Sequence, residues 1–107
     1  MSVDERLLVR RWMSSFEENR PGVEVYRPAE FAFPPARGRA GIEFRADGSV
    51  VELAIGRGDA PEARPGGTWR MDVGGSLVIT SAAGERRVRE IEELTRERLQ
   101  LRSRDAA

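Results

Sequence analysis

Polar and apolar residues alternate in short runs along most of this 107-residue chain, and glycine-containing clusters separate the runs. A period of two marks half-buried strands, because successive side chains point to opposite faces of a sheet. The first run follows a different signal: Ser2 and Glu5 have capping-box spacing ahead of Leu7 and Leu8, predicting one helical turn over residues 4–8. From Val9 the spacing is that of a strand, with Trp12, Ser14 and Phe16 on one face and Arg11, Met13 and Ser15 on the other. Asn19-Arg20-Pro21-Gly22 then forms a turn, and a second strand covers 23–27 and ends at Pro28. Residues 30–41, with two consecutive prolines and two glycines, read as an irregular loop laid against the body and pinned by Phe31 and Phe33.

Two hairpins can be read down to their register. Asp47-Gly48 signals a two-residue type I′ turn, which pairs Ala46 with Ser49, Phe44 with Val51, Ile42 with Leu53 and Ala40 with Ile55 and makes one face wholly apolar. The same register sets Glu43 across from Glu52. A solvated pair relieved by Arg45 on the diagonal is the plain explanation, and a divalent-metal or acid/base carboxylate pair the sharper one. After an exposed loop over 57–66, whose Arg57-Gly58-Asp59 is too short a match to an adhesion motif to carry meaning, comes a second hairpin. A two-residue loop at Gly74-Gly75 would leave Leu77 and Ile79 beside Arg70 and Asp72. A three-residue loop, Val73-Gly74-Gly75, puts Trp69 and Met71 on their face instead, so burial selects the bulged hairpin with a left-handed glycine.

The C-terminal stretch carries two periods. Val88, Ile91 and Leu94 recur every three residues among strong helix formers, whereas Leu99 and Leu101 alternate with Gln100 and Arg102. A helix would leave the preceding strands without a closing partner, which favours strands over 86–93, with a bulge, and 98–103, joined at 95–97. The count is then about eight short strands on tight connections: an all-β, antiparallel up-and-down barrel preceded by a short helical turn, in one domain spanning 1–107. Closure removes the exposed edges.

Composition narrows the chemistry. Basic and acidic residues balance to zero net charge and are interspersed, which argues against nucleic-acid and anionic-membrane partners and is compatible with a homodimer. No apolar run is long enough for a signal peptide or membrane span, so a cytoplasmic location is expected. Every basic residue is Arg, and Ala, Gly and Pro are abundant, as the codon bias of a GC-rich bacterial genome would produce. His, Cys and Lys are absent, which excludes Ser-His and Cys-His nucleophiles, Schiff bases, P-loops and His/Cys zinc sites. No metal or cofactor is expected; carboxylates, Arg, hydroxyls and Tyr26 remain.

Trp12 after a helical turn, Gly67-Thr68-Trp69, a glycine turn, Leu77-Val78-Ile79 and the closing Leu99-Gln100-Leu101-Arg102 together resemble the small bacterial lipocalin-like domains of the calycin group. The resemblance spans nearly the whole chain through short motifs, and Arg10 stands where the family has a glycine two residues before its first tryptophan. It implies an up-and-down barrel that encloses a small hydrophobic ligand. It also implies that Trp12 packs under an arginine of the last strand, Arg102 or Arg104.

Three functional classes follow. A binding module would line its barrel with Trp12, Phe16, Ile42, Phe44, Val51, Leu53, Trp69, Met71, Leu77 and Ile79 and hold a ligand carboxylate through Arg27, Arg37 or Arg39, with Tyr26 nearby. A cofactor-free isomerase or cyclase would use Glu17, Tyr26 and Arg39 for proton steering. An interaction module would keep a filled core and use its outer face.

Overall fold

The computed structural model describes residues 4–36, 38–55 and 62–104. In chain order a helical turn α1 (Glu5–Leu8) precedes β1 (Arg11–Ser14), a 3₁₀ turn (Phe16–Glu18), β2 (Val23–Pro28), β3 (Gly41–Phe44), β4 (Ser49–Ala54), β5 (Glu62–Met71), β6 (Ser76–Thr80), β7 (Arg86–Leu94) and β8 (Leu99–Ser103). The strands close in the order β1-β2-β8-β7-β6-β5-β4-β3, every neighbour antiparallel. From β3 to β8 this is an up-and-down meander. At the seam β2, not β1, lies beside β8, so β2 and β3 flank β1 and run in the same direction. The β2–β3 connection must therefore return past β1 on the outside of the barrel.

Asp4 caps α1: its carboxylate accepts from the Arg6 backbone N–H at 3.1 Å. Ser2 lies outside the described residues. The hairpin at Val73-Gly74-Gly75 has the expected register, Met71 opposite Leu77 and Trp69 opposite Ile79, with Gly75 at φ +84°. The Asp47-Gly48 hairpin uses the same three-residue loop, not the two-residue one. Arg45 N–H donates to Ser49 O and Gly48 N–H to Arg45 O, each at 3.0 Å, and Gly48 is at φ +90°. A type I′ turn would force Asp47 into the left-handed region. Here Asp47 avoids it, and its Oδ1 accepts from the Ser49 backbone N–H and hydroxyl at 2.9 and 2.6 Å. Pairing shifts by one residue, so Phe44 faces Val50, Ile42 faces Glu52, and Glu43 faces Val51. The expected Glu43–Glu52 carboxylate pair does not form. Glu43 is instead bound by Arg11 at 3.1 Å and Arg45 at 2.8 Å.

Cross-strand partners share a face, so the register fixes the interior. Trp12, Phe44, Val50, Leu77, Leu99 and Leu101 point inward and form one cluster with Leu8 of α1. The Trp12 Nε1–H donates to the Leu8 carbonyl at 3.0 Å, and Phe44 meets Trp69 edge to face at 5.7 Å, so α1 plugs this end of the barrel. Val51 and Leu53 lie on the outer face, opposite Glu43 and Gly41, because of the register shift. Leu53 and Met13 are nevertheless buried there, beside Gly41 and the returning β2–β3 connection. Phe16 has left the strand for the 3₁₀ turn and is 47% exposed. The segment 62–66 is strand rather than loop; 57–61 lies outside the described residues. The C-terminal strands form as expected, with the β7–β8 bulge between Ile91 and Glu93.

Candidate functional site

The two ends of the barrel differ in chemistry. Opposite the α1 plug, inward-facing positions are polar: Glu24 pairs with Leu101, Tyr26 with Ser14 and Leu99, Arg87 with Ile79, and Arg89 with Leu77. The Tyr26 hydroxyl donates to the Glu24 carboxylate at 3.4 Å, and Arg89 Nε lies 3.9 Å from the same carboxylate. The Arg89 side chain is only 14% exposed, so its charge sits within the barrel wall rather than in bulk water. Burial first, and then the Glu24 charge, pushes the Tyr26 phenol above its usual range, while Arg89 and Arg87 pull it back. At neutral pH Tyr26 is thus a hydrogen-bond donor. The apolar Ile42 and Ile79 face inward beside this group, and with Tyr26 they remain half-buried, whereas Trp12, Phe44, Leu77 and Leu99 are 0–1% exposed.

The arginines expected at a mouth are elsewhere. Arg27, next to Tyr26 in β2, necessarily faces out, where Glu18 takes its Nε and Nη2 at 2.8 Å each. Arg39 binds Glu17 in the same two-pronged way at 2.8 Å and also donates to the Ser14 and Pro34 carbonyls. Its guanidinium lies between the rings of Phe16 and Phe33, at 4.7 and 4.3 Å, while Arg27 covers Phe31 at 4.6 Å and the two loop phenylalanines meet edge to face at 5.0 Å. Of the consecutive carboxylates of the 3₁₀ turn, Glu17 thereby straps the β2–β3 connection to the turn and Glu18 ties the turn to β2. Glu17 and Arg39 are brought together on the outer surface, and Tyr26 faces the interior. Arg37 lies outside the described residues.

Trp12, Phe44, Trp69 and Met71 all face inward at or near the plugged end. Trp69 Nε1–H donates to the Arg45 carbonyl at 2.8 Å, which fixes the ring against the β3–β4 turn. The cation over Trp12 is Arg10, at 5.3 Å, not Arg102 or Arg104; Arg102 pairs with Glu92 on the outer face and Arg104 contacts Glu90 and Ser76. Among the described residues no group of three or more His, Cys, Asp or Glu side chains could hold a metal, and no helix is long and apolar enough to cross a membrane.

Sequence reasoning missed Glu24, Arg87 and Arg89. The missing signal was the third glycine hairpin, Ala82-Ala83-Gly84, where Ser81 N–H donates to Glu85 O at 2.8 Å. Once Leu77 and Ile79 point inward, that loop length puts Arg89 and Arg87 on the same face. Fold and site together define a closed eight-stranded antiparallel β-barrel with one end plugged by a helix and the other lined by a Tyr-Glu-Arg group. In comparisons with protein families, curated proteins and solved structures, the chain matches none of them.

Proposed function

We propose that the chain is a binding module, lipocalin-like in use, that takes a small hydrophobic molecule bearing an anionic group into the end of the barrel away from α1. The observation that carries this reading is the polar group Tyr26, Glu24 and Arg89 turned into the barrel beside the half-buried apolar side chains of Ile42 and Ile79. In this reading the apolar body of the ligand rests on Ile42, Ile79 and the Trp69 side of the interior, and its carboxylate meets Arg89, Arg87 and the Tyr26 hydroxyl. Glu24 is the counter-ion that holds Arg89 in place until the ligand takes over that role. The chain works without a cofactor, in the cytoplasm, as a carrier or buffer rather than a catalyst. The strand order, with β2 beside β8, sets it apart from a pure lipocalin meander.

The test is titration with a medium-chain fatty acid and the matching alcohol, followed through tryptophan fluorescence, alongside native mass spectrometry of protein from its own host. Saturable one-to-one binding of the acid is expected. Loss of one charge-assisted hydrogen bond in Arg89→Met should weaken it by about tenfold or more. Equal, non-saturating responses to acid and alcohol in the unmodified protein would remove the proposal.

A further inference from the structure

The plugged end carries a second concave feature, unconnected with the ligand reading above. An open groove of about 540 Å³ runs between α1 and the β7–β8 turn, lined by Arg6, Leu7, Val9, Arg10, Glu30 and Arg96. Three arginines and one glutamate line it: Arg6 is already gripped by Asp4 at 3.1 and 3.2 Å and Arg10 is paired with Glu30 at 2.6 Å, so the surplus cation of the lining is Arg96.

The cations are not equivalent. Arg10 is held at three points: its Nη1 donates to the Arg96 carbonyl at 2.9 Å, its Nη2 to Glu30 at 2.6 Å, and its guanidinium lies over the Trp12 ring at 5.3 Å. It is therefore pre-oriented, with donor positions left over. Arg96 is anchored through its backbone by that first bond, while its own guanidinium has no acceptor among the described residues. Glu30, 71% exposed, is a screened counter-ion that a stronger anion can displace. Leu7 and Val9 add half-buried apolar surface.

We propose that this groove is a binding site for a phosphate monoester with a small apolar or aromatic body. Guanidinium forks from separate chain segments can each engage different oxygens of a tetrahedral dianion, whereas a planar monoanion satisfies one fork at a time. The surplus positive charge favours the dianion further, and the apolar pair receives the ester group.

The experiment is an amide NMR titration of the full chain with phenyl phosphate, inorganic phosphate and sodium chloride at matched ionic strength. Phenyl phosphate should saturate, more tightly than inorganic phosphate, with shifts centred on Leu7, Val9 and the 95–98 turn and not on Tyr26. Arg96→Gln should weaken it about tenfold with an unchanged melting temperature, since that side chain supports no described part of the fold. Arg6→Gln supplies a second exposed variant with a smaller expected loss. Shifts that chloride reproduces, or an Arg96→Gln protein that titrates like the unmodified one, would overturn the proposal. Pelleting with phosphatidylcholine vesicles only when they contain phosphatidic acid would assign the phosphate to a headgroup, and no pelleting would assign it to a free molecule.

Discussion

Replacing Gly67 by alanine should unfold this barrel more effectively than any other single methyl addition at a left-handed glycine. Gly67 sits at φ +95°, where the β4–β5 pairing slips past Gly66: Val50 faces Gly67, but Val51 already faces Pro65. A Cβ there would lie 1.9 Å from the Thr80 carbonyl oxygen and 2.8 Å from the Ser81 Cα and carbonyl carbon, all backbone atoms. Gly75, at φ +84°, has nothing within 4 Å of its own virtual Cβ. Gly75→Ala therefore isolates the conformational cost, about 1 kcal/mol. Gly67→Ala adds an overlap that cannot be relieved by a rotamer and must open the β5–β6 ladder beside the Thr68–Thr80 pair. Losing two ladder bonds at about 1 kcal/mol each brings the total to about 3 kcal/mol. For a domain of this size that corresponds to a fall in Tm of about 15 °C, against about 5 °C for Gly75→Ala. Guanidinium and thermal unfolding followed through the two tryptophans measure both. If the two variants unfold together, the bulge is not fixed in the native barrel and the close approach to Thr80 is wrong.

Three further perturbations test other parts of the frame. Hydrogen bonding from Arg27 to Glu18 and from Arg98 to Glu93 holds both carboxyls down at about 2, below their usual 4.5. Stability from these pairs is thus complete above about pH 4.5 and is lost as pH falls toward 2. With the two carboxylates 32% and 30% exposed, screening leaves about 1 kcal/mol each. Thermal melts across that window check this, and the double variant Glu18→Gln/Glu93→Gln should show a flatter profile. Arg39→Lys keeps the charge but loses the fork on Glu17 and the stacking between Phe16 and Phe33, for about 1–2 kcal/mol. Hydrogen exchange at the Phe31 and Phe33 amides should speed up accordingly. Trp12→Phe removes the bond to the Leu8 carbonyl and leaves a void at the plugged end, costing about 2–3 kcal/mol in chemical denaturation.

The hairpins at Asp47-Gly48 and Gly74-Gly75 differ in how far alternation fixes their loops, for a physical reason. Around Val73-Gly74-Gly75 the outer positions of the flanking strands are polar except for Val78, so burial of Trp69, Met71, Leu77 and Ile79 decides the loop length. Around Asp47-Gly48 both faces of β4 are buried, Val50 inside at 3% exposure and Leu53 outside at 2%, so apolar residues occur at either parity and burial cannot choose. On the outer side Leu53 meets Met13 of β1 over Gly41, on the strand that the β2–β3 connection crosses. That crossing leaves no periodic trace, because alternation within β1 and β2 is the same whichever strand lies beside them. The closed eight-stranded barrel was therefore legible from alternation and turn chemistry, whereas its seam was not.

The polar end was illegible for the opposite reason: there the alternation is clear but inverted. In Arg87-Val88-Arg89 the usual rule assigns Val88 to the interior and both arginines to solvent. The hairpin at Gly84 overrides that rule, since pairing Leu77 with Arg89 and Ile79 with Arg87 follows from loop length and not from polarity. β2 shows the same inversion, with Val23 and Val25 buried on the outer face while Glu24 and Tyr26 turn inward. Two strands that break the inside-outside rule at the same end of one barrel, and whose offending side chains meet one another across it, are a consistent exception. Such exceptions are expected at functional or strained sites. Arg27 and Arg39, which obey the rule, are already consumed by Glu18 and Glu17. Arg89 differs from them in place rather than in pairing: its side chain lies inside the wall at 14% exposure, 3.9 Å from Glu24 and donating to the Val88 carbonyl at 3.1 Å.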